Sequence, residues 1–187
     1  MDLALSWDLF VVSIFTLILA YSFIIGIDRT IKTVIATYLG LLTADGLVNI
    51  IDKHILINQK VVQGFQFLGY ADPKGSLLMV KILIFLAVVV ILTIKGNFNV
   101  SLKSARFKLY NPIFTGLFGV LNAGLIISTI LLYLSGNSIL EPVYADSQIL
   151  GLYTSSNYVR ILVDYYSFWF SLPVLIILFL SVWPEKT

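Results

Sequence analysis

Apolar residues gather in five blocks along this chain, and each block has the length of a lipid bilayer rather than of one face of a globular helix. Leu9 to Ile27 is uncharged over 19 residues, enough at about 1.5 Å rise per residue to cross a hydrocarbon core of about 30 Å. Thr33 to Ile51, Ser76 to Ile94, Ile113 to Leu134 and Tyr165 to Trp183 repeat the pattern. The blocks predict an all-α fold: a polytopic transmembrane helix bundle of four to five helices. Residues 1–187 then form a single membrane domain with spans near 9–27, 33–51, 76–94, 113–134 and 165–183. No internal repeat, low-complexity tract or soluble domain interrupts it.

The connections are read in the same way. Ile27 to Lys32 is short, so the first two spans are expected to form a tight antiparallel hairpin. The stretch VVQGFQFLGY, between Lys53 and Gly75, is apolar but too short to cross; it lies on the surface or dips back into the protein. Pro173 and Ser171 predict a kink inside the last block, since neighbouring groups can satisfy the freed carbonyl. Asp2 and Asp8 precede the first block without any Lys or Arg, and no small-residue cleavage site follows, so the first block reads as a retained helix rather than a signal peptide.

Composition agrees with the pattern. Hydrophobic residues make up 59% and charged residues 12%, against roughly a quarter charged in soluble domains, and mean hydropathy is +0.97. Cysteine is absent, which excludes disulfides, thiolate nucleophiles and thiolate metal sites. His54 is the single histidine, so no site can use two imidazoles; beside Asp52 and Lys53 it reads as solvated interface. The placement of charge matters more than its net +2. With five spans, the side holding Arg29, Lys32, Lys95, Lys103, Arg106, Lys108 and Lys186 has 7 basic residues, and the side holding Lys53, Lys60, Lys74 and Arg160 has 4. The positive-inside rule therefore predicts an outside N-terminus and a cytoplasmic C-terminus.

Inside this apolar frame one acid stands out, and the second span is expected to organise the chain around it. Asp45 lies about two-thirds of the way along that span, where an ionised carboxylate needs a partner other than lipid. Lys81 falls at similar depth on the third span. Two readings stand: an Asp45–Lys81 ion pair that locks the helices or lines a polar pocket with Asn49 and Asp52, or a Lys81 that snorkels outward while Asp45 hydrogen-bonds locally or is protonated. Asn122, on the fourth span, is a further intramembrane polar group that needs a partner.

Small residues mark where helices approach one another. Gly116, Gly119, Ala123 and Gly124 do so on the fourth span, and Thr33, Thr37, Gly40 and Ala44 on the second, so these two spans are expected to contact one another within a subunit or across a dimer. Between the third and fourth spans, Lys95, Lys103, Arg106 and Lys108 interleave with Phe98, Phe107 and Leu109. That is the composition of a segment lying on anionic lipid head groups, or of a plain retained cytoplasmic loop.

Catalytic motifs fail on their own terms. Asp45-Gly46 matches the opening of a phosphatidyltransferase motif, but the Ala-Arg and the later spaced aspartates are missing. Asn49 to Asp52 is equally short of a membrane-protease site, for want of a second acid at a fixed position. No phosphate loop, metal-ligand spacing or serine nucleophile motif occurs, and no cofactor is expected.

Three stretches together resemble the colicin V production protein (CvpA) family of bacterial membrane proteins. They are Gly26-Ile-Asp-Arg29, similar to that family's Gly-x-x-Arg turn; Phe118-Gly119-Val-Leu121-Asn-Ala-Gly-Leu125-Ile126, similar to its Phe-Gly-x-Leu-Arg-Gly-x-Leu-Ile stretch; and Asp146-Ser147-Gln-Ile-Leu150 before an aromatic segment. The chain departs from the family at Asn111-Pro112 and Asn122, where Asp-Arg and Arg are expected, and in its long final block. The resemblance implies a bacterial plasma-membrane protein tied to toxin production or envelope maintenance, and it supplies no catalytic residues.

The expected function is thus a non-enzymatic structural or accessory role in toxin production, secretion or envelope homeostasis, within a membrane complex. The expected partners are membrane lipids and either copies of itself or other membrane subunits, not nucleic acid. The alternative is a small transporter or ion-pathway component using Asp45, Asn49 and Lys81. A membrane-embedded enzyme ranks last.

Overall fold

In a computed structural model of the chain, residues 7–54, 73–98, 107–135 and 150–182 are described. They form helices α1 (Trp7–Ile25), α2 (Ile27–His54), α3 (Pro73–Lys95), α4 (Phe107–Leu134), α5 (Leu150–Ser155), α6 (Asn157–Asp164) and α7 (Tyr166–Val182). There is no strand among the described residues. α1, α2, α3 and α4 are each long and apolar enough to cross a membrane, and α6 with α7 would make a fifth span.

The hub is α4, not the second helix. Of its apolar stretch 72% is buried, against 39% in α2 and 11% in α1 and α3, and it touches α1, α2, α3, α6 and α7. The outward faces carry large apolar side chains, among them Leu17, Ile24, Ile94 and Ile113, the arrangement expected of helices whose outer solvent is acyl chain.

The predicted hairpin turn is shorter than the sequence suggests. Helix α1 ends and α2 begins on either side of Gly26 alone, at φ 78°. The Gly26 amide closes α1 by donating to Ser22 O at 3.0 Å, and its carbonyl opens α2 by accepting from the Thr30 amide at 3.0 Å. The Thr30 hydroxyl also reaches Gly26 O (2.8 Å) and Ser22 O (3.2 Å). Only glycine takes a left-handed backbone without steric cost, which lets one residue serve both helix ends. Although consecutive, the two helices pack mainly on others: α1 lies along α4, and α2 along α3.

Two apolar clusters fix the ends of the bundle. At the end where α1 begins, Val11 packs with Ile127, Leu131, Val159, Leu162 and Val163. At the opposite end Ile27, Ile31 and Phe118 pack with Ile176, Ile177 and Leu180. Residues of α6 sit in the first cluster and residues of α7 in the second, so the last segment runs from one end of the bundle to the other. The predicted span 165–183 coincides with α7, and α6 precedes it as the other arm of a bent pair; the 58° bend falls at the junction of α6 and α7, not at Pro173, through which α7 remains helical. Tyr165 ends α6 with a non-helical backbone (φ −100°, ψ 25°). The fourth helix likewise begins before its predicted start and contains Pro112. VVQGFQFLGY lies outside the described residues.

Candidate functional site

Helices α2 and α3 run antiparallel with their backbones close together, because Gly40 has no side chain to separate them. A methyl group there would stand 2.9 Å from Val89 Cγ2 and 3.2 Å from the Phe85 carbonyl. One to two turns further on, the same register brings Asp45 to Lys81, with Oδ1 2.6 Å from Nζ and both side chains less than one-fifth exposed. Asp45 is six residues inside its candidate span and Lys81 four inside its own, about 6 to 9 Å in at ~1.5 Å per residue. Asp45 Oδ1 is buried without a directed hydrogen bond, so the contact is held by charge at short range.

Tyr133, from the last turn of α4, closes the site. Lys81 Nζ lies 4.4 Å from the centre of its ring, a cation–π distance. Its hydroxyl donates to Leu41 O at 3.1 Å, and Phe85 meets its ring edge-on at 5.9 Å. Leu41, Ala44, Phe85 and Val89 complete an apolar shell. The result is one acid and one base neutralised face to face, with an aromatic ring over the base and hydrocarbon around them. That lowers the cost of holding two charges away from water, provided they stay together.

Of the other residues singled out in the sequence, Asn49 is exposed and does not join the pair. Asp52 and Lys108 are described as backbone only, and Lys103 and Arg106 lie outside the described residues. Lys95 is exposed in the last turn of α3, where a cation suits the negative end of the helix. Asn122 is buried, and its side-chain oxygen has no hydrogen-bond partner among the described residues. It sits on α4 between Phe118, which packs on Ile27 and Ile31, and Tyr133, which bonds Leu41. It therefore lies alongside the part of α2 that carries Thr33 and Thr37. Both threonines return their hydroxyls to their own helix, onto Arg29 O and Thr37's partner Thr33 O, at 2.9 Å each, the usual device for burying a hydroxyl in an apolar bundle.

The second and fourth helices do touch, but their small residues largely serve other neighbours. Gly40 admits α3. Gly116 and Gly119 admit α1, where added methyl groups would stand 3.2 Å from Phe23 Cζ and 2.9 Å from Leu19 Cδ1. Gly124 admits the ring of Trp169 from α7. Ala44 and Ala123 are fully buried. A helix with small residues on several faces can be approached from several sides at once, which is why α4 became the hub.

Sequence reasoning missed the partners contributed from far along the chain. Tyr133 and Trp169 carry no local signal beyond being aromatic; Ser156 caps α6 by accepting from the Val159 amide at 3.1 Å and donates to Asp8 on α1. A Ser followed by a short amphipathic run was legible as a helix start. Among the described residues, no three or more His, Asp or Glu side chains come together. No protein-family model, curated protein or solved structure matches the chain.

Proposed function

We propose that this chain is a multi-pass protein of a bacterial plasma membrane that acts as a structural or accessory subunit of a membrane complex, in secretion or envelope maintenance, and carries out no catalysis. The observation that carries the reading is the closed Asp45–Lys81 contact at 2.6 Å, roofed by Tyr133. A charge pair this close, with its base covered by a ring, holds α2 and α3 in one register. An ion pathway requires charges that part and re-form with a passing ion, whereas a scaffold requires charges that stay paired. The resemblance to the CvpA family points the same way, as do the apolar outer faces available to lipid and to other subunits.

The test combines co-purification with flux. Extracted in mild detergent, the full chain should travel with a second polypeptide or with copies of itself. Reconstituted into liposomes, it should conduct neither protons nor small cations above protein-free vesicles. A flux that disappears in Asp45→Asn would replace this reading with the ion-pathway one.

A further inference from the structure

Where α1 ends, α2 begins and α3 ends, the bundle forms an open-sided cavity of about 370 Å³ lined among others by Tyr21, Asp28, Arg29, Lys32, Thr93 and Phe98. Three candidate spans stop at this level, at Ile25, Ile27 and Lys95. The cavity therefore sits where head groups would lie, and the last turns of α1 and α3 beside it carry the exposed apolar residues Ile24, Ile91 and Ile94. We infer that this cavity binds the phosphodiester head group of a membrane phospholipid, with Arg29 as the principal phosphate ligand and the Thr93 hydroxyl as a second donor.

Four observations support the assignment. The lining brings two cations, Arg29 and Lys32, against one carboxylate, Asp28, a balance of one positive charge that matches the single negative charge of a phosphodiester better than the two of a free phosphomonoester. Arginine's planar fork suits phosphate oxygens bidentately. Lys32 is committed to shaping the wall: its ammonium donates to Gly96 O at 2.7 Å and lies 5.3 Å from the centre of the Phe98 ring, which ties the end of α3 to α2 and leaves Arg29 to meet the ligand. The Thr93 hydroxyl oxygen is buried and has no hydrogen-bond partner among the described residues. A buried hydroxyl left without a partner is costly, and a phosphate oxygen would satisfy it. The volume lies in the range of small-ligand sites, and the apolar surface beside it would take the acyl chains.

The experiment uses the full chain in detergent with dihexanoyl-phosphatidylglycerol as probe, read by native mass spectrometry and by thermal shift. The wild-type chain should retain one lipid per chain and melt higher with the probe. Arg29→Gln should bind at least about tenfold more weakly, as expected for loss of a charge-assisted phosphate contact. Thr93→Val removes only a hydroxyl that has no hydrogen-bond partner among the described residues. It should therefore fold as well as the wild type while binding severalfold more weakly, which keeps the test decisive if Arg29→Gln misfolds. Lys95→Gln, which removes a cation at the same end but outside the cavity, should bind as the wild type does. Equal binding by wild type, Arg29→Gln and Thr93→Val would overturn the inference, and so would an equal loss in Lys95→Gln. Competition by glycerol phosphate or inorganic phosphate as strong as that of the lipid would assign the cavity to a soluble phosphate and overturn the lipid assignment.

Discussion

The indole ring of Trp169 occupies the space into which any side chain at Gly124 would project: a methyl group there would stand 2.6 Å from Trp169 Cδ2. This contact seats α7 on α4 at mid-bundle, between the two apolar clusters at its ends. Gly124→Ala should therefore force the ring aside and destabilise the protein by about 1 to 3 kcal/mol, the usual cost of overpacking. Combining it with Trp169→Leu should recover part of that loss, because the smaller side chain makes room. Chemical unfolding in mixed micelles measures both, and independent, additive effects would show that the two positions do not touch.

A second prediction concerns Asp45 and Lys81. Removing one charge strands the other in an apolar shell, so Asp45→Leu alone and Lys81→Met alone should each cost about 3 to 5 kcal/mol. The double variant replaces the pair by hydrocarbon and should return to within about 1 to 2 kcal/mol of the wild type. A loss in the double variant equal to the sum of the two single losses would mean that the contact contributes no coupling.

Gly26 offers a purely conformational test. Its φ is 78° and, among the described residues, nothing lies within 4 Å of where a side chain would stand. Gly26→Ala should cost about 1 to 2 kcal/mol from the left-handed backbone alone. Gly26→Asn, with a residue that tolerates this region better, should cost less. Equal losses in the two variants would point to packing instead.

Tyr153 gives a pH signature outside the spans. Its hydroxyl donates to Asp164 Oδ1 at 2.8 Å, and that hydrogen bond, with some burial and the carboxylate's charge, raises its pKa above the ordinary 10.0. The folded state thus favours the neutral phenol. This stabilising contribution is present below the unfolded-state value and is lost as pH rises through the higher folded-state one. The ultraviolet difference between the wild-type and Tyr153→Phe titrations should show a phenol ionising above 10.0, and Asp164→Asn should move it back down.

The end-to-end path of α6 and α7 predicts that the two ends of the described chain face opposite sides of the membrane. Since the chain has no cysteine, Trp7→Cys and Ser181→Cys are single-label reporters. An impermeant maleimide should modify the first from outside intact cells and reach the second only after the membrane is opened. Labelling of both from outside would mean that the last segment turns back.

The bilayer-length apolar blocks were legible because helix formation in lipid depends on local composition: every backbone group must be satisfied within its own segment, so length and hydropathy suffice to place α1 to α4. The pairing of Asp45 with Lys81 was legible as an alternative, since depth along two antiparallel rods follows from counting residues. Which helix became the hub was not. That depended on how Gly116, Gly119 and Gly124 distribute around α4, and on which large side chains, Phe23, Leu19 and Trp169, arrived to fill the gaps. The same holds for Tyr133 over Lys81, for the bend at Tyr165 and for the buried Asn122, whose side-chain oxygen has no hydrogen-bond partner among the described residues. The sequence by itself thus determined the rods and their solvent, because those are properties of each segment alone. The tertiary structure decided which faces meet, because close packing depends on shapes brought together from distant parts of the chain.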